Sequence, residues 1–395
     1  MEAPQPRTLS PILVLGFAVA SAGGPFAIAA VYMTGSAHVA PSLLVPATVI
    51  GLALFLAPLT IWLRYSAAVA SGGGLYAFVR HAAGERLARW QGWIWTVAYL
   101  LYLPYTVTDI VYYLMPAFLP LSAPGQVLLE ILLPVAICLL IAFGGRMPVV
   151  LLLVSGAVQL AALSFLGALT LHGAHLQGWA VVALPPVHLW PGVLGGGAQV
   201  ASLLVCMSLV LFLGGEAAGG RSSLRRSLAI AFAILCASTL FSSLLLAVST
   251  TPAVARSDLP GAVLGRLYGS PAVAAATGLV AVVSIAGLIV AEFIALTRLW
   301  GAMFDLRSRT SVAIISAFFI AADAASLLGP RRFYALAIAP SLIALYLSQF
   351  IVFAAYPLLR HRSGRPDLAS WALAAVACLW SLYGVYGAVV AVALS

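Results

Sequence analysis

The sequence predicts an all-α polytopic membrane protein of about eleven transmembrane helices, and three observations carry that expectation. Hydrophobic residues make up 63% of the 395 and charged residues only 7%. Ordinary globular chains are roughly 45–50% apolar and about 25% charged, so a water-soluble fold of this length would have too few charges to cover its surface. Eleven segments reach the roughly 20 apolar residues that cross a bilayer core. The third observation is arginine asymmetry, since basic residues concentrate in cytoplasmic loops.

Taken in order, span 1 (11–33) follows Arg7 and is too long for a signal-peptide core, with no clean cleavage motif. It is read as a retained first helix. Spans 2 to 5 cover 42–64, 90–115, 127–145 and 147–171. Spans 6 to 10 cover 196–218, 227–250, 272–297, 311–329 and 334–359. Span 11 covers 369–393. With the N-terminus inside, 15 arginines fall on the cytoplasmic side, and Arg256, Arg266, Arg331 and Arg332 fall outside. An odd span count then puts the C-terminus outside, in a multi-pass protein of the cell membrane. The short tail and loops leave no room for a soluble domain, so 1–395 reads as one membrane domain.

Composition also excludes functions. No lysine occurs, which removes lysine Schiff-base and P-loop chemistry. The net charge of +9 is scattered between apolar runs rather than gathered on a face, which argues against nucleic-acid binding. Cys138, Cys206, Cys236 and Cys378 stand singly inside apolar runs, supporting neither disulfides nor a metal site. His172 and His175 lie close together but lack a neighbouring cysteine or carboxylate, so they read as a solvated helix end rather than a metal centre. No nucleophile, base and metal constellation suggests an enzyme, and nothing calls for a cofactor.

Two spans break helical rules at comparable places. Span 1 carries Ser21-Ala22-Gly23-Gly24-Pro25, and span 6 carries Gly214-Gly215-Glu216 followed by Gly219-Gly220. Irregular backbone at membrane depth is tolerated only against protein or a cavity, and paired interruptions five helices apart point to an inverted-repeat transporter with a midplane site. The expectation is unwinding near 21–25 and 213–216.

Ser71-Gly72-Gly73-Gly74-Leu75-Tyr76-Ala77-Phe78-Val79-Arg80, with Gly84 following, resembles the "P-S-A-G-G-x-Y-x-Y-V-x-R-x-x-G" segment of the amino acid, polyamine and organocation (APC) transporter family, with Ala70 where that family usually has proline. Phe212-Leu213-Gly214-Gly215-Glu216 resembles its "F-x-G-F-E", Arg225-Arg226 its "P-R-R-x-x-P-R-A", and Arg298 with Ala302-Met303 and Asp305 its "R-x-x-x-A-M-A-R-D-G" loop. The resemblance implies a leucine-transporter-like five-plus-five inverted repeat that works by alternating access. Residues 11–171 would form the first repeat, 196–359 the second and 369–393 an added helix.

A zwitterionic amino acid or amine needs partners for its charges away from water. The free amides of Gly23 and Gly24 would make an anion-binding helix N-terminus, beside Ser21 and Ala22. Carbonyls ending the first halves of spans 1 and 6, at Gly214 and Gly215 in the latter, would receive an ammonium, and Phe212 would close as an aromatic gate. Intramembrane acids are costly and usually functional. Glu216, beside the expected second break, is the first candidate for a proton-carrying carboxyl. Asp109, among hydroxyls that could satisfy it, and Glu292, six residues before Arg298, follow. Glu130 and Asp323 fall near outer helix ends and read as structural.

Protons are the favoured coupling ion. Span 8 offers Ser284 alone in its central stretch as a hydroxyl ligand for sodium, and the lysine that replaces sodium in some proton-coupled relatives of the resembled family is missing. Uncoupled exchange, or a transporter or channel for an inorganic ion, remain the alternatives. The sequence leaves the substrate and oligomeric state open.

Overall fold

The structure is a computed structural model, and it describes residues 8–27, 41–177, 186–249, 254, 257, 259–362 and 368–394. Arg7, Arg256, Arg365 and the expected continuation of span 1 to residue 33 lie outside the described residues. Fourteen helices follow in order: α1 (Pro11–Ala20), α2 (Gly24–Ala27), α3 (Pro41–Ala68), α4 (Gly74–Ala83), α5 (Glu85–Asp109), α6 (Ala123–Phe143), α7 (Met147–Gln177), α8 (Trp190–Ser202), α9 (Gly220–Ser249), α10 (Pro260–Tyr268), α11 (Pro271–Phe304), α12 (Ser308–Ser326), α13 (Pro330–Arg362) and α14 (Leu368–Leu394). A π turn, Ile110–Leu114, extends α5, and a 3-10 segment, Val205–Leu213, continues beyond α8.

Among the described residues, ten segments are long and apolar enough to cross a membrane, and the shorter Pro11–Ala27 run supplies the broken first span. The protein is therefore an all-helical, multi-span membrane protein with the eleven spans expected. The predicted boundaries mark the apolar stretches, while the helices run further: α5 starts at Glu85 because Gly84, with φ 95°, ends α4 immediately before it. Two short helices escape a hydropathy reading. One is α4, which buries Leu75, Tyr76, Phe78 and Val79 at one end of the bundle, and the other is α10 at the opposite end.

Eight of the helices form two packed groups, bridged by α7, which packs on α1 and on α11. In the first, α1 meets α9, while α3 meets α8 and α9. In the second, α5 packs against α11 and α12, and α6 against α12. Small residues bring backbones close, as membrane helices require without a hydrophobic drive between them. A Cβ added to Gly51 of α3 would lie 2.4 Å from the Gly197 carbonyl of α8. Outside both groups, α13 packs on α5 and α14. One end of the bundle carries Arg64, Arg80, Arg86, Arg89, Arg146, Arg221, Arg225, Arg226, Arg298, Arg307, Arg309 and Arg360, and is called the arginine-rich end below.

Gly74 shows how tightly that end is closed. It has φ +50°, and a Cβ there would sit 2.6 Å from the Phe212 ring. Left-handed backbone costs roughly 1–2 kcal/mol for a residue with a side chain, and overpacking adds about 1–3 kcal/mol. Gly74→Ala should lower the apparent thermal midpoint of the purified protein by several degrees, whereas Gly387→Ala, with nothing within 4 Å, should not. Equal midpoints for the two variants would contradict this packing.

Candidate functional site

The first break lies where the sequence places it. Helix α1 stops at Ala20, Ser21–Gly23 form a turn, and α2 restarts at Gly24. Gly23 and Gly24 have φ of 79° and 77°, which a side chain would strain. Ser21 donates its hydroxyl to the Ala18 carbonyl at 2.8 Å, and the Gly23 amide bonds the Ala20 carbonyl at 3.0 Å. The start of α2 is not left open for a substrate anion. The side chain of Gln159 on α7 occupies it, accepting from the Phe26 amide at 3.3 Å, and a Cβ on Gly24 would fall 2.0 Å from Gln159 Oε1. Gly24 thus faces Gln159, and the Gly23 amide is already bonded, which corrects the expected carboxylate cradle.

The second break is displaced from its expected position. It falls at Leu203–Leu204, between α8 and the 3-10 segment, about ten residues before Gly214. Trp190-Pro191 starts this span well before residue 196, so its midpoint lies near Ser202 rather than at the glycines. The glycine pairs instead end the span. Gly214 lies against the backbone of α4's leading loop, where a Cβ would meet Ser71 N at 3.0 Å. Beyond it, Leu9 pairs with the 216–218 strand-like stretch through Leu9 N to Glu216 O at 3.0 Å and Ala218 N to Leu9 O at 2.7 Å. Gly214 and Gly215 therefore belong to the arginine-rich end and not to the midplane.

Between the two breaks lies a cavity of about 300 Å³, at the small end of the range for small-molecule sites. Ala22 lines it from the first break, Ser202, Leu203, Val205 and Cys206 from the second, and Leu288 from α11. Tyr102, Tyr105, Thr106 and Asp109 come from the second half of α5, and Tyr334 and Tyr346 from the first half of α13. All of these lie in the half of the bundle away from the arginine-rich end. Asp109 is the last residue of α5, where the chain passes into the π turn. Such turns are frequent at functional sites because they re-aim a side chain by one position.

The floor is aromatic. Phe212 is fully buried, its ring 4.6 Å from Trp95, which lies 4.0 Å from Tyr99. The stack continues from Tyr99 to Tyr102 and Tyr105. Phe212 thus sits two rings below the cavity as part of a plug, rather than closing over a substrate. Beneath the plug, Arg298 of α11 forms an ion pair with Glu216, whose carboxylate it contacts through Nε. This pair joins the second helix group to the end of span 6 and, through Leu9, to the chain's start. Glu216 thus lies at the arginine-rich end, paired with Arg298 and far from the breaks.

The remaining acid is Glu292, four residues along α11 from the cavity-lining Leu288. Its carboxyl is fully buried, and no protein donor reaches either oxygen. It lies close enough to Tyr99 and Cys206 to act on them electrostatically. Tyr99 and Cys206 themselves contact one another at 3.8 Å. Of the three acids named from sequence as proton-carrying candidates, the structure therefore brings Asp109 and Glu292 to the cavity and its floor and sends Glu216 elsewhere. Sequence reasoning took the hydroxyls around Asp109, Tyr105 and Thr106 among them, only as its structural partners, and missed Tyr102, the tyrosines of α13 and Gln159. A Tyr102, Tyr105 and Thr106 run leading to Asp109 was the available signal for the first of these.

No protein-family model matches the chain, and no curated protein matches it. Solved structures do. MhsT in complex with L-phenylalanine is similar over 96% of this chain and 97% of that one, with a TM-score of 0.59 and 16% identity. Mhp1, a nucleobase-cation-symport-1 family transporter solved in a closed conformation with bromovinylhydantoin bound, covers 98% and 95%, at a TM-score of 0.56 and 13% identity. A manganese transporter of Eremococcus coleocola covers 96% and 86%, at 0.59 and 11%. The chain has the fold of these transporters. That leucine-transporter-like fold places a discontinuous helix in each half, and both are present here, in spans 1 and 6.

The Arg298–Glu216 pair makes a direct expectation. A partly exposed ion pair is worth about 1 kcal/mol or less, and 1 kcal/mol corresponds to about a five-fold population change. With Cys206 kept as the single cysteine, Arg298→Gln should raise its labelling from the arginine-rich side by up to about that factor. An unchanged rate would show that the pair does not hold this end shut.

Proposed function

We propose that the chain is a secondary transporter that moves small amine-bearing molecules, amino acids or related amines, across the cell membrane by alternating access, with its arginine-rich end in the cytoplasm. The observation that carries this reading is the cavity itself: two helix breaks meet around a small, aromatic chamber whose one lining carboxyl is Asp109. Helix ends expose carbonyls without intrahelical partners, and Ala22 and Leu203 bring such ends to the chamber wall. An ammonium can be received by these carbonyls and Asp109, with the faces of Tyr102, Tyr105, Tyr334 and Tyr346 adding cation–π attraction. The apolar remainder suits a hydrocarbon or aromatic substituent, and MhsT, at 16% identity, is solved with phenylalanine. An inorganic-ion reading fits less well, because one carboxyl and one thiol are too few ligands. Among the described residues no group of three His, Cys, Asp or Glu is placed to hold a metal.

The inverted repeats are read as residues 11–171 and 196–359, with α14 added. Proton coupling through Glu292 fits the site better than coupling through Glu216. An unpaired carboxylate in a dry interior is very costly, so Glu292 is held as the neutral acid while the floor is closed, and it releases its proton when water reaches it from the arginine-rich side. Glu216 already has a counter-charge in Arg298. Sodium is less favoured because α11 spaces its hydroxyls widely, with Ser284 and Thr297 thirteen residues apart.

In proteoliposomes, uptake should rise with an inward proton gradient and be indifferent to sodium. Glu292→Gln should remove the pH dependence while leaving substrate exchange, and Glu216→Gln should keep it. Asp109→Asn should raise KM by roughly 10- to 100-fold, since hydrogen bonds to charged groups contribute about 1.5–3 kcal/mol. Sodium-stimulated uptake, or an intact pH profile in Glu292→Gln, would reject the coupling assignment.

A further inference from the structure

A second pair of acids lies outside the cavity, in the helix group formed by α5, α6 and α12. Glu130 sits two turns into α6, and Asp323 one turn before the end of α12, both at the end of the bundle opposite the arginine-rich one. Hydropathy places them near solvent, yet both are fully buried, with 0% exposure. Their surroundings explain the pairing. Thr108 of α5 and Ser326 of α12 both reach the same oxygen, Glu130 Oε1, at 2.6 and 2.7 Å. Ser326 also donates to the Asp323 backbone carbonyl at 2.7 Å, and at a spacing of three residues the Asp323 and Ser326 side chains lie on one face of α12. Three carboxyl oxygens, Glu130 Oε2 and both of Asp323, have no protein donor.

Two ionised carboxylates at this depth without a counter-charge are not sustainable. Among the described residues no arginine forms an ion pair with either. Thr108, Ser326 and Glu130 meet at one point, and Asp323 lies one turn from Ser326 on the same helix; the side chains offered are all hard oxygens, four from carboxyls and two from hydroxyls, which is the donor type of a hard cation. The two carboxylates together carry two negative charges, which one divalent ion neutralises. We propose that Glu130, Asp323, Thr108 and Ser326 form a binding site for a hard divalent cation of the calcium or magnesium type. Its helices all belong to one packed group, and neither broken span contributes a ligand, so the ion braces that group through the transport cycle instead of travelling as cargo. The site is independent of Glu292 and of the substrate assigned to the cavity.

The test is thermal unfolding of the purified full-length protein in detergent, after chelator treatment, with calcium, magnesium, manganese or sodium added at constant ionic strength. One divalent cation should raise the midpoint saturably, as a ligand that binds only the folded state does. Glu130→Gln or Asp323→Asn should weaken that response by at least roughly 100-fold, the upper range for loss of a mere outer-shell partner. The double variant Glu130→Gln/Asp323→Asn has no buried charge to neutralise, so it should fold without the cation and not respond to it. Glu292→Gln should keep the full response. The proposal is overturned if no cation shifts the wild-type protein, if the shift survives in the double variant, or if the stability of the pair answers to pH alone, which would mean a shared proton.

Discussion

Every backbone amide and carbonyl inside a bilayer needs a partner, because lipid offers none. That constraint organises this protein. Most of the described chain meets it with long helices, and the breaks at Ser21–Gly23 and Leu203–Leu204 survive because protein surrounds them and a cavity opens between them. Gln159 illustrates how local the solution is: its side-chain oxygen takes the Phe26 amide that the restart of α2 leaves open. The cavity is therefore a consequence of where the helices stop, and its chemistry comes from the residues that happen to stand beside the stops.

The acids divide by what satisfies them. Glu216 has Arg298 as its counter-charge. Asp109 ends a helix at the cavity wall. Glu292 is buried without a donor just beneath that wall, which is why the coupling role is proposed for it. The aromatic plug of Phe212, Trp95 and Tyr99 separates that ion pair from the cavity. Two layers, one ionic and one aromatic, thus lie between the arginine-rich end and Glu292.

Much of this was legible in the amino-acid sequence, and the failures have physical reasons. Apolar length and arginine placement are properties of the bilayer, so the spans could be counted without knowing any contact. The first break announces itself because Gly23, Gly24 and Pro25 cannot continue a helix easily. The second gives no such sign: Leu203 and Leu204 are good helix formers, and the turn there is imposed by tertiary packing. The glycines at 214 and 215, which looked like the break, serve close approach to Ser71 instead. Phe212, Gly214, Gly215 and Glu216 were thus displaced together, by one misplaced midpoint. The tyrosines of α13 and the burial of Glu130 and Asp323 depend on contacts between distant segments, which a single sequence does not display.

In the proposed transport cycle the two helix groups rock about this cavity and open its ends in turn. Spin labels at Arg221 and Arg309 report the arginine-rich end across the two groups, and labels at Trp190 and Leu328 report the opposite end. Distances measured for both pairs in nanodiscs, with and without a transported amine, should change in opposite senses: whatever lengthens one pair shortens the other. Distances that stay fixed, or that lengthen together, would contradict alternating access.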